Sequence, residues 1–82
     1  MFFVYAISSE IKNYIYVGLT HDFNFRIHEH NSGSERTTRP YRPFKVLLIE
    51  QYPTRAEARK REKYLKSGCG KEYLKALREN NK

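Results

Sequence analysis

Two runs near the start of the chain carry the pattern on which the rest depends. From Tyr14 to Thr20 the apolar Ile15, Val17 and Leu19 point one way, while Tyr14, Tyr16 and Gly18 point the other. That is the period of a half-buried β-strand. Phe2 to Ile7 is a second run of strand character. Folded into an antiparallel hairpin through Ser8–Asn13, the two runs are expected to set Tyr5 opposite Tyr16 and Phe3 opposite Gly18. Residues directly opposite share a face and lie within side-chain reach. The hairpin is thus expected to show paired phenols and a bare glycine on its second face, with room for a ligand.

The pattern then changes period. Asp22 is the expected N-cap of a helix in which Phe23, Ile27 and His30 or Asn31 recur at helical spacing, with Gly33 just past its end. Arg26 and His30 are four apart and share a flank. His28 and His30 are two apart and do not face each other, which argues against a His-x-His metal pair. Residues 32–43, with two prolines and two serines, read as a loop. Phe44 to Glu50, apolar on both faces, is expected to be the central or best-covered strand. Thr54 and Glu57 form a capping box for a helix over about 54–67, ended by Gly68. Its inner face reads Ala58, Arg61 or Glu62, and Leu65. Gly68-Cys69-Gly70 reads as a hinge or turn, and Lys71 to Glu79 as a last helix packing through Tyr73, Leu74 and Leu77. No repeat and no linker divides the chain, so 1–82 is expected to be one domain, an α+β unit.

Composition narrows the function. The 82 residues are 39% hydrophobic, too apolar for a disordered chain. No apolar run approaches the ~20 residues of a membrane helix. The apolar Phe2–Ile7 has no positive stretch before it, as a secretory leader would. A single cysteine, Cys69, excludes an internal disulfide and a Cys-based zinc site. A cytoplasmic protein is expected. Sixteen Lys and Arg against nine Asp and Glu give +7, a field that favours polyanions.

The basic residues are also placed. Arg36, Arg39 and Arg42 come every third residue in the loop, with Thr37, Thr38 and Tyr41 between them, a mixture suited to phosphate contact and base stacking. Arg55, Arg59, Lys63 and Lys66 form a stripe along the later helix. Polar residues also stand where apolar ones would be cheaper: Tyr5, Tyr16, Arg26, His30 and Glu62. Taken singly, each has an ordinary reading, as a packed tyrosine, a surface arginine, a helix-end histidine or an ion-paired acid. Taken together they suit phosphodiester cleavage. A lone carboxylate can hold a hydrated Mg²⁺. A guanidinium can clamp the phosphate. A phenol, with a reference pKa of ~10, becomes a usable base only beside cations.

With these residues in place, the chain resembles the GIY-YIG endonuclease superfamily, and more narrowly its small stand-alone bacterial branch. Phe3-Val4-Tyr5 stands where the family has Gly-Ile-Tyr, and Tyr16-Val17-Gly18 where it has Tyr-Ile-Gly. The stretch from Tyr16 through Asp22-Phe23 and Arg26 to His30-Asn31-Ser32-Gly33 resembles the family's strand-to-helix segment. Thr38-Arg39, Arg42-Pro43 and Arg61-Glu62-Lys63 match later blocks. The resemblance implies a three-stranded antiparallel sheet flanked by about three helices. It implies cleavage of nucleic acid, DNA more than RNA, with one divalent metal, Mg²⁺ or Mn²⁺, on Glu62. It also implies that Tyr16 or Tyr5 acts as base, that Arg26 steadies phosphate charge, that His30 assists proton transfer and that Gly18 shapes the site. Phe3 departs from the family's first glycine, and Leu19 follows Gly18 where the repair nucleases carry a lysine. The alternative is a basic nucleic-acid-binding module without the chemistry; a small protein-interaction domain is a third. Either active form has little surface for sequence readout, so a partner protein is a candidate source of specificity.

Overall fold

The computed structural model describes residues 1–80; the final two residues of the expected 1–82 unit lie outside the described ones. The chain runs β1 (Phe2–Ser9), β2 (Ile15–Thr20), α1 (Phe23–Ser32), a short 3-10 turn (Arg39–Tyr41), β3 (Phe44–Tyr52), α2 (Arg55–Lys66) and α3 (Gly68–Asn80). The three strands make an antiparallel sheet in the order β2-β1-β3. Two core layers follow from strand alternation. On one face Val4, Ala6 and Val17 pack against Ala58, Leu65 and Leu74 of α2 and α3. On the other, Tyr5, Ile7 and Phe44 pack with Tyr16 and with Phe23 and Ile27 of α1.

The hairpin register differs from expectation by two residues: Tyr5 lies opposite Gly18, Ile7 opposite Tyr16 and Phe3 opposite Thr20. The cause is the turn. Ser9 N–H donates to the Tyr14 carbonyl at 2.9 Å, and Ser9 Oγ accepts from Ile11 and Lys12 N–H at 3.2 and 3.1 Å. This serine-based turn closes on Ser9 and Tyr14, so the connection begins later than the expected Ser8–Asn13 stretch and the register slides by two. A shift of two keeps every side chain on its face, so the phenols and Gly18 still share one surface.

The third strand is an edge, not the centre; β1 is the central strand. Its run of apolar residues has another origin. Ala6 pairs with Leu48 but Ile7 with Val46, so Leu47 is an extra residue in a bulge. The bulge turns Leu47 and Leu48 together toward the α2–α3 core and leaves Val46 and Ile49 exposed. Two apolar faces here record a break in alternation.

The helix starts match. Asp22 accepts from Phe25 N–H, and Gly33 ends α1 with φ +86°, a value that favours glycine. Thr54 accepts from Glu57 N–H. The junction of α2 and α3 differs. Ser67, not Gly68, ends α2, and its Oγ accepts from Gly70 N–H at 3.3 Å. Gly68-Cys69-Gly70 is therefore the first turn of α3 rather than a hinge. A Cβ at Gly70 would run into the Tyr64 carbonyl and the Leu65 backbone, so this glycine lets the two helices touch.

Candidate active site

Tyr5 stands at the middle of the central strand and is fully buried. Its ring lies over Gly18: a Cβ there would come within 2.5 Å of Tyr5 Cζ. The Tyr5 hydroxyl meets His30 Nε2 at 3.0 Å, and His30 Nδ1 meets Thr38 Oγ1 at 2.8 Å. Burial, followed by the Arg26 charge, holds the His30 pKa below its ordinary value, so the ring is neutral near pH 7. A neutral ring donates on one side only. The phenol is the stronger acid of the two flanking hydroxyls. The favoured arrangement therefore has Tyr5 donating to Nε2 and Nδ1–H donating to Thr38. Burial pushes the Tyr5 phenol up to about 12, against the pull of Arg26; it keeps its proton in the resting protein.

Tyr16 completes the cluster at its rim. Its ring centroid is 6.3 Å from that of Tyr5 and 4.9 Å from that of His30. It is half-buried, so of the two phenols it is the one that solvent reaches. Arg26, one helical turn before His30, sits beside both hydroxyls. Its guanidinium is held by Glu29 at 3.0 Å and Glu35 at 3.4 Å. Glu35 is firmly ionised: the Thr37 N–H holds its pKa below the usual carboxylate range, Arg26 adds to this, and burial opposes it. A phosphate bound at Arg26 would have to displace at least one of these carboxylates. Glu35→Gln, which keeps the acceptor for Thr37 N–H, should then tighten binding of inorganic phosphate about 2- to 5-fold, the worth of a partly exposed ion pair; a binding titration of both proteins checks it.

Glu62 is placed elsewhere. Of the inner-face alternatives it is the buried one, while Arg61 reaches Glu50 at 2.9 Å. Its carboxylate lies 3.7 Å from Arg59 Nε and 3.4 Å from Lys66 Nζ. It opens into a cleft of about 220 Å³ with Phe2, Leu19, Thr20, His21, Arg55 and Arg59. None of Tyr5, Tyr16, Arg26 or His30 lines that cleft. The acid and the phenols therefore do not share one hollow: α2 packs on the sheet face opposite to α1. β2, an edge strand, lies between the two: Gly18 lies under Tyr5, and the next residues, Leu19 and Thr20, line the Glu62 cleft. Among the described residues no three His, Cys, Asp or Glu side chains gather. The donor set excludes a zinc-type cage. A lone carboxylate suits an ion that keeps most of its waters, and Glu62 would be free to take one only once Arg59 and Lys66 release it.

The expected phosphate contacts separate as well. Arg55 and Arg59 face the Glu62 cleft, and Lys63 is exposed beyond it. In the loop Arg36 is exposed, but Arg39 Nε donates to the Gly33 carbonyl and Arg42 Nη1 to the Ser32 carbonyl. These two arginines satisfy the open end of α1, as cations do at a helix C-terminus. Thr38 and Tyr41 are not free for nucleic acid. Thr38 is fully buried against His30, and Tyr41 is stacked on Tyr14 at 3.9 Å between centroids. The residues that sequence reasoning missed are Glu29, Glu35 and, as a histidine partner, Thr38.

A family model, the GIY-YIG catalytic domain, matches residues 1–75. A UPF0213 protein of Staphylococcus epidermidis is 33% identical over 78 residues, covering 94% of both chains. A UPF0213 protein of Staphylococcus aureus is 32% identical with the same coverage. The solution NMR structure of a UPF0213 protein from Bacillus halodurans matches with a TM-score of 0.56 at 32% identity, over 94% of this chain and 85% of that one. No helix among the described residues is long and apolar enough to cross a membrane.

Proposed function

We propose, on the premise that the chain belongs to the GIY-YIG catalytic domain family, a family of nucleases, that it is a divalent-metal-dependent endonuclease acting on DNA. The observation that carries this reading is the gathering of Tyr5, Tyr16, Arg26 and His30 on one sheet face, with Arg26 beside both phenols. Glu62 would hold the ion, Mg²⁺ or Mn²⁺, which when bound would neutralise charge on the phosphate.

The chain's own residues supply the rest. Arg26 leaves Glu29 or Glu35 and clamps the phosphate by its fork of donors. Tyr16 holds the attacking water. As the water oxygen bonds to phosphorus, its proton passes to the Tyr16 oxygen, and the phenol's own proton leaves to solvent. The bond to the leaving oxygen breaks, and that oxygen takes a proton from water. Tyr5, His30 and Thr38 do not touch substrate; their buried hydrogen-bond chain positions the ring over Gly18 and thereby Tyr16 and Arg26. Arg55, Arg59, Lys63, Lys66 and Arg36 supply backbone contacts. A cytoplasmic setting and a partner protein that supplies specificity complete the reading.

The test is a panel of linear, branched and flapped DNA with Mg²⁺ or Mn²⁺. Cleavage is expected with metal and none with chelator. Glu62→Gln should raise the metal concentration needed for half-maximal cleavage; an unchanged requirement removes Glu62 from the site. A binding module without chemistry is the second reading, favoured by the placing of Glu62 in a cleft that none of Tyr5, Tyr16, Arg26 and His30 lines. It predicts DNA retention that falls steeply with salt and no nicking with any divalent ion.

A further inference from the structure

A groove of about 500 Å³ runs along β2, an edge strand, outside the Glu62 cleft. Its floor is apolar: half-buried Ile15 of β2, with Val17, Leu65 of α2 and Leu74 of α3 buried behind it. Its wall is cationic: Lys66, Lys71, Lys75 and Arg78. No acidic side chain lines it. We propose that this groove holds an unpaired strand of nucleic acid, the stretch that flanks the phosphate to be cut. The adjacency to a cut phosphate rests on the reading above; the binding itself does not.

Three observations point to this occupant. The first is charge. Arg78 is held in place by donating to Asn13 Oδ1 at 2.7 Å. Lys75 has only a loose contact with Glu72 at 3.8 Å, and no ion pair engages Lys71 among the described residues. These ammonium groups are available to phosphates. The second is the floor. A duplex presents phosphates, sugars and base edges outward, and an apolar floor gains nothing from them. An unpaired strand presents base faces, which the half-buried Tyr14, Ile15 and Tyr16 of the groove can pack against.

The third is continuity. Tyr16 lines the groove and also belongs to the phenol cluster. Lys66 lines the groove and also pairs with Glu62. A strand lying in the groove thus touches one residue of each half of the candidate site, Tyr16 and Lys66. An acidic peptide adding to the free edge of β2 would also satisfy the charge. It would leave the links through Tyr16 and Lys66 to the candidate site without a role.

The experiment is fluorescence anisotropy of labelled oligothymidine and of a duplex of equal length, in chelator so that nothing is cut. The double variant Lys71→Ala, Lys75→Ala alters two exposed side chains and should fold as the parent does. It should bind the single strand about tenfold more weakly, and its salt slope should fall by about 1.4, at ~0.7 per lost contact on a single strand. Duplex affinity should stay within twofold. Equal losses for both nucleic acids, or no loss for the single strand, would overturn the proposal. So would a Glu-rich peptide that displaces the single strand from the groove at a lower concentration than unlabelled oligothymidine does. The two readings fail separately. Groove-dependent binding without cleavage sinks only the nuclease reading. Cleavage of single strands that ignores both lysines sinks only the groove.

Discussion

Changing Tyr16 to phenylalanine should slow metal-dependent cleavage by about 10²-fold or more, leave substrate affinity unchanged and leave thermal stability where it was. A general base in a proton transfer is worth ~10²–10⁴-fold, and its removal shows in the chemical step rather than in binding. Stability should hold because Tyr16 is half-buried and its ring packing survives loss of one hydroxyl. Tyr5→Phe should behave differently. It strips the hydroxyl from His30 Nε2 inside the core. A buried polar atom left unpaired costs ~1–3 kcal/mol, which in a domain this small is several degrees of melting temperature, at ~4–8 °C per kcal/mol. Its activity should also fall, through disordered Tyr16 and Arg26, but no further than for Tyr16→Phe. Single-turnover cleavage and thermal unfolding of both variants separate the roles. A Tyr16→Phe protein that cuts at the parent's rate, or a Tyr5→Phe protein as stable as the parent, reverses the assignment.

How much of this was legible in the chain follows from what each feature depends on. The shared face of Tyr5, Tyr16 and Gly18 depends only on a period of two, so it survives the two-residue error in register. The caps at Asp22, Gly33 and Thr54 are local and stand as read. Register was not legible because Ser9 sets it through its side chain, accepting two N–H groups inside the turn. The place of β3 was misread because a bulge at Leu47 makes an edge strand look apolar on both faces. Thr38 looked like a loop hydroxyl; only the tertiary fold brings it to His30, eight residues back. Glu35 carried no signal, being an acid in a polar loop. The separation of Glu62 from the phenols follows from which sheet face each helix covers, and helix spacing alone does not say that. Each miss is a long-range contact or a side-chain hydrogen bond to the backbone, and hydrophobic periodicity reports neither.

Gly70→Ala carries the second large effect, and its sign is opposite to the usual one. Inside a helix, glycine to alanine gains ~1 kcal/mol in propensity. At Gly70 the new methyl would meet the Tyr64 carbonyl and the Leu65 backbone, with Leu65 C at 2.7 Å. Neither is a flexible side chain that can turn away, so α3 must move off α2. Overpacking costs ~1–3 kcal/mol, and a clash with main chain belongs at the upper end. The net loss should be about 1–2 kcal/mol, or about 5–15 °C. Gly68→Ala is the internal control. It lies in the same first turn of α3 and has nothing within 4 Å, so it should raise stability by up to ~1 kcal/mol. The two melting temperatures should move in opposite directions; movement in the same direction would show that the helix contact at Gly70 is not tight. The same contact sets the spacing of Leu65 and Leu74 behind the groove floor and steadies α2, which carries Glu62. Opening it should therefore weaken single-strand binding and metal-dependent cleavage together, whereas Tyr16→Phe alters cleavage alone.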